Sequence, residues 1–190
     1  MCNERRAGLR ARAAMLALLV LAAVAMAHGT TLARMSLDQL AAAAQVVARV
    51  RCTGAESRRE NDSIWTYTIF TVEETFKGAP DAQITVRLPG GRDGHLVQSV
   101  EGAPQFTEGE EAIVFLERTR SGDWSISAWA EGTFRVARDA AANQETVTQD
   151  SSGMAVFDPA TRTFRTEGIA RMPLENFREK LNAAIESVGR

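Results

Sequence analysis

Reactive side chains are scarce in this chain. Of its 190 residues two are cysteine, two are histidine and one is tyrosine. Cys2 sits at the extreme N-terminus, so Cys52 is the one thiol of the remainder. A single thiol forms no internal disulfide, and stability must then come from packing. No GxSxG elbow and no HExxH helix occurs, which removes the common signatures of serine hydrolases and zinc proteases. Gly90-Gly91-Arg92-Asp93-Gly94 is rich in glycine but lacks the spacing and the strand-to-helix setting of a phosphate loop. Internal repeats and low-complexity segments are also missing from His28 onward.

What is present at the N-terminus is an export pattern. Arg5, Arg6, Arg10 and Arg12 are opposed only by Glu4, and Ala13 to Ala27 then carries no charge. Ala25-Met26-Ala27 has the small-x-small form that signal peptidase reads. Basic, apolar and small-residue regions in this order mark a cleavable secretory signal over residues 1–27. The apolar run is shorter than the roughly 20 residues of a membrane span, so no stable span is expected after cleavage. The expected location is the periplasm or the extracellular medium.

Cleavage removes four of 22 basic residues and one of 24 acidic ones, leaving 18 and 23, a net charge of −5. Such a balance gives no electrostatic reason to expect nucleic acid as a partner. The remaining length suits one domain with a real core.

The apolar pattern is mainly that of strands. Ser36 caps a short helix running into alanines. Val46, Ala48, Val50 and Cys52 alternate with Val47, Arg49 and Arg51, giving a strand with one apolar face. Cys52 on that face reads as a small buried residue, against a reactive thiol or an intermolecular linker. Thr53 to Asp62 is polar and turn-prone. Ser63 to Phe76 is a long β-branched and aromatic strand with apolar groups on both faces, suited to a barrel strand covered on its outside. Ile84, Val86 and Leu88 mark another strand. Pro89 to Gly109 reads as a long loop, of the kind that is often functional. Strands are expected over Glu111–Glu117, Trp124–Trp129 and Thr133–Val136, then a less apolar stretch to Gly153, and a hairpin around Asp158-Pro159. Leu174, Phe177, Leu181, Ala184, Ile185 and Val188 fall on one face of a closing helix.

Gln45-Val46-Val47-Ala48-Arg49-Val50, the strand end Val72-Glu73-Glu74-Thr75-Phe76-Lys77-Gly78 and Phe106-Thr107-Glu108-Gly109-Glu110-Glu111-Ala112-Ile113-Val114-Phe115-Leu116 form an ordered series. Over roughly residues 36–138 the series resembles a group of uncharacterised exported bacterial proteins. More distantly, it is similar to the netrin-type module of tissue inhibitors of metalloproteinases. The resemblance implies a mainly β, small OB-like antiparallel barrel with a short N-terminal helix and a C-terminal amphipathic helix. Domain limits follow as 28–138 for the barrel and 139–190 for a hairpin plus helix packed on it. The inhibitors' mechanism does not carry over, because they place an N-terminal cysteine on the protease zinc and rely on several disulfides.

Candidate binding residues are Arg92, Asp93 and His95 in the 89–109 loop, and Trp129, one of three tryptophans that suit either core packing or an aromatic platform. Trp124 and Trp129 are an odd number apart, so one regular strand would turn them to opposite sides, leaving one in the core and the other exposed or past a bend. His28 would become the N-terminus after cleavage. Its amine and imidazole, joined by His95, would form a nitrogen set suited to Cu(II). The leading expectation is an exported, non-enzymatic module without a cofactor, binding a protein or polymer partner of the envelope or extracellular space. The alternative is an exported enzyme or copper protein with its site in the loop.

Overall fold

The computed structural model describes residues 32–140, 142–166 and 168–189. The expected signal segment 1–27 and His28 lie outside these residues. Helix α1, Leu37–Ala43, starts where expected. Ser36 Oγ accepts from the Gln39 N–H at 3.2 Å, and the Gln39 side chain accepts from the Ser36 N–H at 2.8 Å. This reciprocal cap satisfies two donors that a helix start leaves open. At the other end, Lys77 Nζ donates to the carbonyls of Ala41 and Ala44 at 2.6 and 2.7 Å, a favourable place for a cation.

Strands β1 (Val46–Glu60) and β2 (Ser63–Lys77) form one long hairpin. The stretch from Thr53 is thus strand rather than turn as far as Glu60, and only Asn61-Asp62 reverses the chain. Asn61 takes the left-handed conformation, φ 55°, which short polar side chains tolerate in tight hairpin turns. Polar composition hid this strand because its outer half makes a ribbon held by backbone pairing rather than by apolar burial. Three irregularities interrupt the register, between Val47 and Ala48, Arg49 and Val50, and Cys52 and Gly54. Bulges of this kind bend and twist a strand.

The chain continues through β3 (Gln83–Pro89), β4 (Gly91–Asp93), β5 (Leu96–Gln98), β6 (Glu111–Arg118), β7 (Trp124–Ile126), β8 (Thr133–Asp139) and β9 (Gln144–Gln149). Then come β10 (Val156–Asp158), β11 (Thr163–Arg165), β12 (Met172–Pro173) and helix α2 (Leu174–Val188). The molecule is therefore mainly β with a C-terminal helix. Eight strands form a mixed sheet in the order β1-β2-β3-β7-β6-β8-β9-β12. β3 and β7 run parallel, while the other pairs in the sheet are antiparallel. In addition β1 pairs with β6, from Val46↔Leu116 to Arg51↔Glu111. The pairing therefore returns to its start through β1, β2, β3, β7 and β6.

The 89–109 segment is only partly loop, since β4 and β5 form a small hairpin within it. Arg135 anchors its far end. The guanidinium donates to the Gln105 carbonyl at 2.7 Å, pairs with Glu110 and Asp150 at 2.8 Å each, and lies 4.0 Å from the Phe106 ring centroid. The Ala137–Gly153 stretch holds β9, which the sequence reading omits. Val147 is its one large apolar residue, and pairing with β8 from Phe134↔Gln149 to Asp139↔Gln144 supplies the order that apolar content does not.

Two apolar clusters lie on opposite faces of β1 and β6. One takes Val50, Phe70, Val86, Val114 and Ile126, with Phe106 packed edge-on against Phe70 at 4.9 Å. The other takes Val47, Ile113, Phe115 and Phe134 with Leu40 of α1 and Phe177 and Leu181 of α2. Burial of both faces explains why Ala112 to Leu116 is an unbroken apolar run, as two-sided burial requires.

Cys52 belongs to the first cluster and is 1% exposed. Burial pushes its thiol above the ordinary value, opposed by a weak contact to the Gly54 carbonyl. Less thiolate forms at any given pH, and reagents have no path to it. In the chain from His28 onward, a thiol reagent is expected to titrate no group in the folded protein and one after unfolding in guanidinium. Prompt labelling of the folded protein would contradict this packing.

Candidate functional site

Parity along β2 and β3 separates core from surface. Ile64, Thr66, Thr68 and Phe70 point inward with Ile84, Val86 and Leu88. Their odd-numbered neighbours point outward, and the register sets Trp65 opposite Pro89 and Tyr67 opposite Arg87. On this outer face, arginines cover the aromatic rings where the sequence suggested a covering element. The Arg87 guanidinium lies 3.7 Å from the Trp65 ring centroid, and that of Arg58 lies 3.9 Å from Tyr67. Glu60, at the end of β1, ties them together. It accepts from the Tyr67 hydroxyl at 2.5 Å, from Arg87 Nη2 at 2.8 Å and from Arg58 Nε at 3.0 Å. These donors, the Tyr67 hydroxyl foremost, hold its carboxyl below the usual glutamate value against the opposing effect of desolvation.

Trp129 arrives at the same face by a different route. β7 ends at Ile126, so Trp129 does not lie in a strand with Trp124. Trp124 packs partly buried against the first cluster with Arg118 3.8 Å over its ring. Past a bend, Ala128 and Trp129 take φ 51° and 49° in succession. Left-handed backbone at two adjacent side-chain-bearing residues, one an indole, costs on the order of 1–3 kcal/mol each. Surrounding contacts hold it there. The Ala130 N–H donates to the Gly102 carbonyl at 3.0 Å, and Thr133 Oγ1 donates to the Trp129 carbonyl at 2.9 Å. Gly132 is needed for this turn, because a Cβ there would overlap the Ser127 carbonyl oxygen.

Trp65, Pro89 and Trp129 thus line one cleft of about 430 Å³. Arg87 and Arg120 are its charged residues, and Thr119, Ser121 and Ser125 bring hydroxyls. No carboxylate, histidine or cysteine lines it. Arg120 is exposed on the β6–β7 turn and has no ion-pair partner among the described residues. Such a site can stack flat apolar surfaces, donate hydrogen bonds and attract an anion. It holds no general base or strong nucleophile.

The other candidates lie elsewhere. Arg92 and Asp93 are on β4 and His95 is in the turn to β5, all exposed. Arg92 borders a separate concavity of about 410 Å³ with Ser57, Thr66, Gln98 and Phe106. Trp129 is not part of its lining, so the structure does not join the loop candidates to Trp129. The copper set cannot be assembled from described positions, since His28 is outside them. Among the described residues no group of three His, Cys, Asp or Glu is placed to hold a metal ion. Arg87 and Tyr67 were missed by sequence reasoning, though the parity of β2 and β3 carried the signal. Arg120 carried none, because only the turn geometry brings it beside Trp129.

Comparison with protein-family models finds no match, and comparison with curated proteins finds none either. Among the described residues no helix is long and apolar enough to cross a membrane.

Proposed function

We propose that this chain is an exported, non-enzymatic binding module that engages a protein or polymer partner through the outer face of β2, β3 and the turns beside it. The observation that carries this reading is the Trp65–Trp129 cleft, where a strained backbone presents an indole to solvent-facing space. Backbone strain of this kind persists only where surrounding structure over-determines it, and it clusters at ligand sites. The lining is suited to holding a ligand and lacks groups for acid–base or nucleophilic work.

Fold and location belong to the same proposal. The closed pairing through β1, β2, β3, β7 and β6, with its single parallel contact, supports an OB-type barrel of five strands. In such barrels the second and third strands and the adjoining loops form a binding face, which corresponds to β2, β3 and the β6–β7 turn. The basic, apolar and small-residue order of residues 1–27 supports export.

The test is retention of the purified chain, from His28 onward, on cell-envelope and secreted-polymer fractions. Wild type is expected to be retained. The Trp65→Ala/Trp129→Ala variant, with folding checked by circular dichroism, is expected to lose at least about tenfold in affinity, as hot-spot aromatics do. Equal retention of the two proteins would reject the cleft as the binding site.

A further inference from the structure

Resting on the binding reading above, we infer that the Trp65–Trp129 cleft takes an acidic oligosaccharide, a short glycan whose sugar rings carry carboxylates. Shape comes first. The Trp129 indole, Pro89 and the Trp65 indole with Arg87 stacked on it line about 430 Å³, within the size range of small-ligand sites. The apolar C–H face of a pyranose ring matches such walls, and its hydroxyls match the polar rim. Ser121 and Thr119 are linked at 2.9 Å and Ser121 donates to Asp123 at 2.8 Å, so this rim is ordered.

Charge selects among sugars. The whole chain has a net charge of −2, yet the charged residues lining this cleft are both arginines. Arg87 is committed to Glu60 and to Trp65, although its Nε–H is buried without a partner among the described residues. Arg120 is uncommitted and exposed. A guanidinium fork matches a carboxylate in two parallel hydrogen bonds. A neutral glycan leaves that fork unused.

The same observations disfavour other occupants. A protein interface needs roughly 800 Å² from each partner with an apolar centre. The exposed large apolar residues Leu96, Val97, Phe164 and Val188 lie on the β4–β5 hairpin, on β11 and at the end of α2. None lines the cleft. Single-stranded nucleic acid calls for a basic groove that tracks several phosphates, whereas this cleft offers two arginines, of which Arg87 neighbours Glu60 and Asp123.

The experiment is a titration of the chain from His28 onward with a short oligogalacturonate, followed by tryptophan fluorescence and calorimetry. A cello-oligosaccharide of equal length and an oligothymidylate serve as parallel probes. Saturable binding of the oligogalacturonate is expected, weakened by salt, with the neutral glycan bound about tenfold less tightly, the factor set by about one charge-assisted contact. Arg120→Ala lies on an exposed turn, leaves the fold intact and is expected to reduce affinity about tenfold. Arg120→Lys recovers part of that loss. Trp129→Ala weakens binding and reduces the fluorescence change to what Trp65 reports. Equal affinity for the neutral glycan, or indifference to Arg120→Ala, overturns the inference. If the cello-oligosaccharide or the oligothymidylate is preferred and its binding needs Trp129, the acidic-glycan assignment falls while the binding reading stands. If no probe binds and Trp129→Ala also leaves retention on envelope fractions unchanged, both fall.

Discussion

Phe134→Ala is expected to lower the unfolding free energy by about 4 kcal/mol, the usual range for emptying a buried phenylalanine site. Phe134 is 1% exposed. Its ring lies 5.6 Å from that of Phe115 and 4.8 Å from that of Phe177, so it joins β6 to α2 through β8. Truncation leaves a void whose walls come from three different elements. They cannot all move in together, because β6 is fastened to β1 on one side and to β7 and β8 on the other. Urea denaturation, read for a shift in midpoint at constant slope, measures the loss. A change below about 1 kcal/mol would mean that α2 does not pack against Phe134.

Arg49→Ala is the second large expected loss, about 2 kcal/mol at neutral pH. Arg49 faces outward from β1 yet is 13% exposed, because carboxylates from three strands surround it. It grips Glu145 of β9 through Nη2 and Nη1 at 2.7 and 3.1 Å, pairs with Glu111 of β6, and lies 3.4 Å from Glu73 of β2. Removing one partner of a buried pair costs roughly 3–5 kcal/mol. The smaller figure applies here because the Glu145 side chain is 41% exposed and Arg51 still pairs with Glu73 and Glu111. Hydrogen bonding from Arg49 is the largest influence on Glu145 and holds its carboxyl below the ordinary 4.5. A carboxyl lowered in the folded state stabilises above its unfolded value, and that contribution is lost as pH falls through its folded value. The gap between variant and wild type is therefore expected to narrow in acid, in urea melts run from neutral pH downward. A gap that stays constant would remove Glu145 from the account. Arg49→Lys keeps the charge but not the fork, and is expected to restore part of the loss.

Much of this architecture was legible in the chain. Alternation at Val46–Cys52 and Ile84–Leu88 marked inner strand faces, Ser36 marked the helix start, and the stripe from Leu174 to Val188 marked the buried face of α2 as far as Ala184, with Val188 exposed at its end. β9 and the outer half of β1 escaped notice. Backbone pairing with a neighbour stabilises a polar strand, and no local apolar period records that neighbour. Cys52 was legible for the same reason as its strand, since inward parity implied the burial that raises its thiol pKa.

The site divides in the same way. The aromatic strand that carries Trp65 was legible, but nothing along the chain related Trp65 to Trp129, which follows 64 residues later. Alternation extended β7 past Ile126, and of the two places it left for the second tryptophan the structure has Trp129 past a bend. The bend there comes from Gly132 packed under the Ser127 carbonyl and from the Gly102 carbonyl accepting from Ala130. The second of these joins segments distant in sequence. What the sequence by itself determined is the β-rich class, the core faces and the two helices, because period and capping are local properties. The tertiary structure alone decided the return of β1 to β6, the grouping of Arg87 and Arg120 with two indoles, and the left-handed turn that aims one of them. Each depends on long-range pairing, which brings together residues that local pattern leaves unrelated.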